Sequence, residues 1–169
     1  RSIAVFHGYY SHYPNREAAK LIDEQVAPAT REEGLDVEFL LVGKNPPATT
    51  SPNVTAAGFV DDLHSVLRAA DVAVVPIRHG GGTKTKVYDY VTLGLPMVTT
   101  EKGIEGIDLE PGTHAVVTED VDEGFVKGIQ RLLTNQEYAQ ELSANLRSLA
   151  DEWDWDRSAA RLTEFYEDL

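Results

Sequence analysis

Short apolar runs, most closed by a glycine or a proline, alternate along this chain with longer stretches whose apolar positions recur at helical spacing. The first run is 3–8, ending at Gly8. Segment 15–33 then reads as a helix with Ala18, Ala19, Leu21, Ile22 and Val26 on one stripe, and Pro28 predicts a kink or an early stop inside it. Further strands are expected at 37–43, 54–59, 71–77, 96–100 and 113–118. Asp61 or Asp62 can cap a helix carrying Leu63, Val66 and Leu67, and a helix over 83–93 should stop at Gly94. Helices near 121–133, 136–152 and 156–168 complete the pattern. The strands are apolar throughout rather than alternating, so both of their faces are buried. Joined by helices, they predict a doubly wound, Rossmann-like α/β domain around a parallel sheet of about six strands, with right-handed crossovers. No repeat or linker divides residues 1–169, which read as a single domain.

Composition changes this picture in two ways. There is no cysteine, which removes disulfides, zinc–thiolate sites and cysteine nucleophiles. Charge is lopsided: 15 Lys and Arg against 28 Asp and Glu give a net charge of -13. Such a chain lacks the basic footprint of a nucleic-acid binder, and its average face would be repelled by anionic membranes. The acids gather toward the C-terminal end and read as a solvated surface that aids solubility, and the low lysine count also fits a salt-adapted source. A melting temperature that does not rise in molar salt would count against salt adaptation. No apolar run approaches the ~20 residues that cross a bilayer, and no signal peptide is read, so a cytoplasmic location is expected.

Sheets of this kind bind ligands outside the carboxyl ends of their strands, so the chemistry is expected in the loops at 7–15, 43–52, 59–62, 78–86 and 100–112. Most informative is Gly80, Gly81, Gly82, Thr83, Lys84, Thr85, Lys86, which follows the most valine-rich strand and opens a helix. Glycines let a backbone approach a ligand, Thr83 can cap the helix, and its free N–H groups favour an anion. Lys84 and Lys86 sit where the helix dipole disfavours cations, which makes more sense facing phosphate; the alternative is a flexible turn with two surface lysines. The spacing is neither a Walker loop nor a dinucleotide fingerprint, which disfavours P-loop ATP and NAD chemistry. Asp89 can accept the vicinal hydroxyls of a ribose, or pair with Lys86 on a solvated helix face. Glu105 and Gly106 can orient sugar hydroxyls or form a simple turn. His7 is a candidate acid or base, or a structural residue. The histidines show no metal-ligand spacing, no serine has a nucleophile-elbow context, and Trp153 and Trp155 read as core packing.

Taken in order, these loops resemble a known family. The residues that carry the likeness are Phe6, His7, Gly8; Pro14, Asn15; Leu41, Val42, Gly43; Phe59 with Val60, Asp61, Asp62; Ala70, Asp71 through Pro76; the glycine loop to Lys86; Gly94, Leu95, Pro96; and Gly103 through Ile107. Together they resemble the C-terminal, donor-binding half of a family 4 glycosyltransferase of the GT-B fold, one of the glycosyl transferases group 1. The resemblance implies retaining transfer of a sugar from a nucleotide diphosphate sugar to an acceptor, with no cofactor and no required metal. It places Gly8 under the diphosphate, with Gly82 and Thr83 beside it, Lys86 and less firmly Lys84 against its charge, the backbone near Val60 at the base, and Asp89 where a ribose-binding glutamate usually stands. The Glu105–Gly106 loop falls on the donor-sugar side. Gly81 occupies the place of a second family glutamate, so no catalytic residue is assigned. The acceptor domain of such enzymes has no counterpart here, so a fragment inactive by itself is expected, with peripheral membrane contact left to a full enzyme. A GT-B-fold nucleotide-sugar epimerase and a non-catalytic interaction domain are the competing readings.

Overall fold

Val72, Ala73, Val74 and Val75 are wholly shielded from solvent, as a strand covered on both faces must be. They form the middle of a single parallel sheet in the computed structural model, which describes residues 1–80 and 84–167, with side chains described as far as Asp154. The strands are β1 (Ser2–His7), β2 (Val37–Val42), β3 (Val54–Gly58), β4 (Val72–Val75), β5 (Met97–Thr100) and β6 (Val116–Thr118). Their spatial order is β3-β2-β1-β4-β5-β6 and every pairing is parallel. That order is the doubly wound one expected from the apolar strands, and its direction reverses between β1 and β4. The outer strands are more exposed: Thr55, Ala56 and Ala57 of β3 face solvent.

The helices are α1 (Tyr13–Leu21), α2 (Ala27–Glu32), α3 (Leu63–Ala69), α4 (Thr85–Leu93), α5 (Glu123–Thr134) and α6 (Gln136–Glu167). α2 packs beside α5 on one side of the sheet, while α3 and α6 pack beside α4. Asp62, rather than Asp61, caps α3 by accepting the Ser65 N–H at 3.1 Å. α4 ends at Gly94 in the left-handed conformation (φ 63), with the Leu95 N–H bonded back to the Tyr90 carbonyl.

Two expectations are corrected. Pro28 does not kink one long helix: residues 22–26 form a π turn between α1 and α2, in which the Ala27 N–H reaches the Ile22 carbonyl. Proline has no N–H to give the carbonyl four residues back, and the wider turn absorbs the mismatch one turn upstream. The segment expected as two helices after Asn135 is one continuous α6; no glycine or proline lies between Glu152 and Arg157 to interrupt its ladder. Trp153 is half-buried against Tyr88 of α4, with ring centroids 5.3 Å apart, and Trp155 lies outside the described side chains.

The π turn also presents a buried acid. Asp23 accepts the Thr50 N–H (2.9 Å), the Ser51 N–H (2.9 Å) and the Thr50 hydroxyl (3.0 Å), pinning the loop between β2 and β3. Asp23→Ala leaves the buried Ser51 N–H and the part-buried Thr50 donors without this acceptor and is expected to destabilise the fold by about 1–3 kcal/mol, read from urea unfolding. Asp23→Asn, which keeps one acceptor oxygen, should recover part of the loss.

Candidate functional site

Where the sheet reverses direction, the loop after β1 and the loop after β4 face each other at the carboxyl ends of the strands. The β1 loop is held tightly. Gly8 N–H donates to the Val42 carbonyl (3.0 Å), and the Asn15 amide donates to the Tyr9 carbonyl (3.1 Å). A side chain on Gly8 would meet that amide at 2.8 Å. Asn15 is itself buried at the start of α1, and its Oδ1 accepts from Lys86 Nζ at 2.9 Å.

That contact places Lys86 in the interior. It is 7% exposed, its ammonium lies 5.1 Å from the Phe6 ring, and among the described residues it forms no ion pair with any carboxylate. Burial first, and then the charge of Lys84, lower its pKa to about 8. Lys84, 9% exposed, directs its Nζ toward the Gly80 carbonyl (3.4 Å). Its pKa is lowered by burial and next by the charge of Lys102, with Glu105 acting in the opposite sense. Two buried lysines thus stand at the start of α4 in a chain with net charge -13. Lys84 and Lys86 are buried, not surface lysines.

One turn further along α4, Asp89 and Tyr90 meet His7 at the end of β1. The Tyr90 hydroxyl lies 2.9 Å from His7 Nδ1 and also accepts the His7 backbone N–H at 3.3 Å. His7 Nε2 lies 3.3 Å from Asp89 Oδ2. Asp89 is half-exposed and faces His64 across its other oxygen, with Nε2 4.0 Å away. It does not pair with Lys86, which corrects the alternative drawn from their spacing: Lys86 turns inward to Asn15 while Asp89 turns to β1. Burial and then the charge of Lys86 lower the His7 pKa to about 4, against the opposing pull of Asp89.

This gives an acid-linked prediction. Between about pH 6.5 and pH 4 the unfolded chain takes up a proton at His7 and the folded chain does not, so stability falls with pH in that window. The His7 contribution is fully present above pH 6.5 and lost once pH has passed below 4. It is expected to amount to about 3 kcal/mol. Urea unfolding of His7→Gln should show a correspondingly shallower decline.

The remaining predicted residues spread around this centre. Val60, half-buried, follows β3 two residues past Gly58, whose carbonyl accepts the Gly43 N–H at 2.8 Å. Glu105 and Gly106 follow β5; Glu105 is exposed and pairs with Lys102, and its field reaches Lys84. Gly82 and Thr83 lie outside the described residues, and the N-cap position of α4 is held by Lys84. A groove of about 490 Å³ opens beside the loop, lined in part by Arg78, His79, Lys102 and Asp120. A second groove, about 320 Å³ between α2 and α5, touches none of the predicted residues. Asn15 and Tyr90 carried no chemical assignment in the sequence. An asparagine opening a helix and a tyrosine beside an aspartate give no signal until β1 and α4 are brought together.

The comparisons with known proteins bear on the family and the fold. The family model described as glycosyl transferases group 1 matches residues 1–135. The chain belongs to that family. No curated protein sequence matches it. Among solved structures, WaaG, a glycosyltransferase involved in lipopolysaccharide biosynthesis, is 19% identical over 89% of this chain and 43% of its own, with a TM-score of 0.71. Anabaena HepE, solved in complex with UDP-glucose, is 14% identical over 99% of this chain and 49% of its own, with a TM-score of 0.76. The C-terminal domain of the group 1 protein LpcC from Francisella tularensis is 12% identical over 89% of this chain and 84% of its own, with a TM-score of 0.67. At these identities the likeness shows the fold. The group 1 chain spans less than half the length of WaaG and HepE. Among its described residues no helix is long and apolar enough to cross a membrane.

Proposed function

We propose that this group 1 chain, residues 1–169, is the nucleotide-sugar-binding domain of a retaining glycosyltransferase. A second domain would supply the acceptor, and the chain alone would be inactive. The observation that carries the reading is Lys86: a buried ammonium with an amide and an aromatic ring for neighbours and, among the described residues, no carboxylate partner, at the edge where doubly wound sheets take their ligands. Keeping an incompletely compensated cation there is costly to the fold, and an anionic ligand offsets that cost. A diphosphate suits it, since leaving-group charge grows as the glycosidic C–O bond breaks. Ammonium groups aimed at that oxygen stabilise the transition state more than the ground state. With Lys84 and Lys86 in that role, the reaction has no need of a metal. Gly8, Gly82 and Thr83 would bring main-chain amides to the phosphates, and Asp89 would hold the ribose. The backbone near Val60 would meet the base, and Glu105 and Gly106 the sugar. HepE having been solved with UDP and with UDP-glucose supports the substrate class. The proposal places the enzyme in the cytoplasm.

Thermal unfolding with UDP, GDP and ADP tests this. At about a hundredfold excess over Kd, the fitting nucleotide should add about 2.7 kcal/mol and raise the melting temperature by roughly 5–10 °C. A folded chain that none of the three stabilises would overturn the proposal and favour a non-catalytic interaction domain.

A further inference from the structure

The cluster at the end of β1 fixes which nitrogen of His7 carries its proton. Tyr90 is completely buried, and its hydroxyl already accepts the His7 backbone N–H. The hydroxyl proton still needs an acceptor, and among the described residues His7 Nδ1, at 2.9 Å, is the one offered. Nδ1 is therefore unprotonated and Nε2 bears the hydrogen. Nε2 points at Asp89 Oδ2, a carboxylate oxygen that can only accept. Both ends of the ring thus require the same neutral tautomer. The chain of contacts runs from the β1 backbone through Tyr90 and His7 to a half-exposed carboxylate at the ligand edge.

We propose that His7 is a positioning residue that locks the Asp89 carboxylate for the vicinal hydroxyls of a ribose, making the site selective for ribonucleotides over their deoxy counterparts. The proposal rests on the nucleotide-sugar reading above. An aspartate reaches one methylene less far than a glutamate and rotates freely unless one oxygen is tied. With Oδ2 tied to His7, Oδ1 keeps a fixed direction. A site built to pair with a hydroxyl discriminates strongly against an analogue lacking it, because its own polar group is then left unpaired. The charged and titratable groups facing His7 are Lys86, Asp89 and Tyr90 from α4 and His64 from α3.

Two measurements test this, one independent of the nucleotide reading. In a long-range 15N–1H NMR spectrum of the histidine-labelled chain, His7 is expected as the neutral Nε2–H tautomer from about pH 5.5 to about pH 8. The Nδ1–H tautomer or an imidazolium in that range overturns the proposal. Calorimetric titration then compares the tightest binder among UDP, GDP and ADP with its 2′-deoxy and 3′-deoxy analogues. The wild-type chain should prefer the ribonucleotide by roughly tenfold, evenly across that pH range. His7→Leu should reduce the preference to less than about threefold, and His7→Gln, whose amide can still donate to Asp89, should restore it. If His7→Leu does not fold, Tyr90→Phe, which removes the hydroxyl that fixes the tautomer, should weaken the preference in the same way. Asp89→Asn abolishing the preference while the His7 and Tyr90 variants retain it overturns the proposal and leaves the nucleotide reading standing. No binding of any nucleotide overturns both.

Discussion

Lys86→Met is expected to weaken diphosphate binding while making the folded chain more stable at neutral pH. The loss should be about 1–3 kcal/mol, or roughly five- to 150-fold in affinity for the best-bound nucleoside diphosphate, because a charge-assisted contact is removed and methionine offers no donor. The gain comes from the same atom. A buried lysine whose pKa is lowered from 10.5 to about 8 holds its proton at a cost to the fold, which methionine of similar length does not incur. Allowing for the Asn15 carbonyl left without its donor, the net gain should be about 1–3 kcal/mol, read as a rise in the urea midpoint. The sign has a pH signature. Between about pH 8 and pH 10.5 the folded chain has released the Lys86 proton and the unfolded chain has not, so wild-type stability rises with pH there. The variant should lack that rise. Weakened binding without any gain in stability would identify Lys86 as an ordinary surface contact, contrary to its burial.

The second large effect is expected at Gly43, where β2 ends. Its φ is +124°, and a Cβ there would stand 1.9 Å from the Gly8 carbonyl oxygen. That oxygen belongs to the backbone of the β1 loop, so no side chain can swing aside to make room. Gly43→Ala should destabilise the chain by about 3 kcal/mol or more, lowering the melting temperature by roughly 10 °C, and should weaken nucleotide binding by displacing the Gly8 loop. A variant that melts like wild type would show that the two loops do not meet this closely. Gly34→Ala is a control: it also has positive φ (+75°) but nothing within 4 Å, and should cost only the backbone strain of about 1–2 kcal/mol.

These effects separate what sequence and structure each contributed. The parallel sheet was legible because 72–75 are apolar at every position, a pattern that only a strand covered on both faces sustains. Helix ends marked by Asp62 and Gly94 were legible because capping is local chemistry. The π turn before Pro28 was not, since a missing hydrogen bond can be absorbed by a kink, a stop or a wider turn, and packing chooses among them.

The same division runs through the site. The sequence alone placed a glycine-rich turn with two lysines after the most valine-rich strand, at a sheet edge where ligands bind, because strand period and helix punctuation are properties of neighbouring residues. It left open whether Asp89 pairs with Lys86 on a solvated face or turns to a ligand. Only the tertiary structure sent Lys86 inward to Asn15, across 71 positions, and Asp89 to His7, across 82. Burial and the pairing of distant strands decide protonation and direction, and neither is a function of local order along the chain.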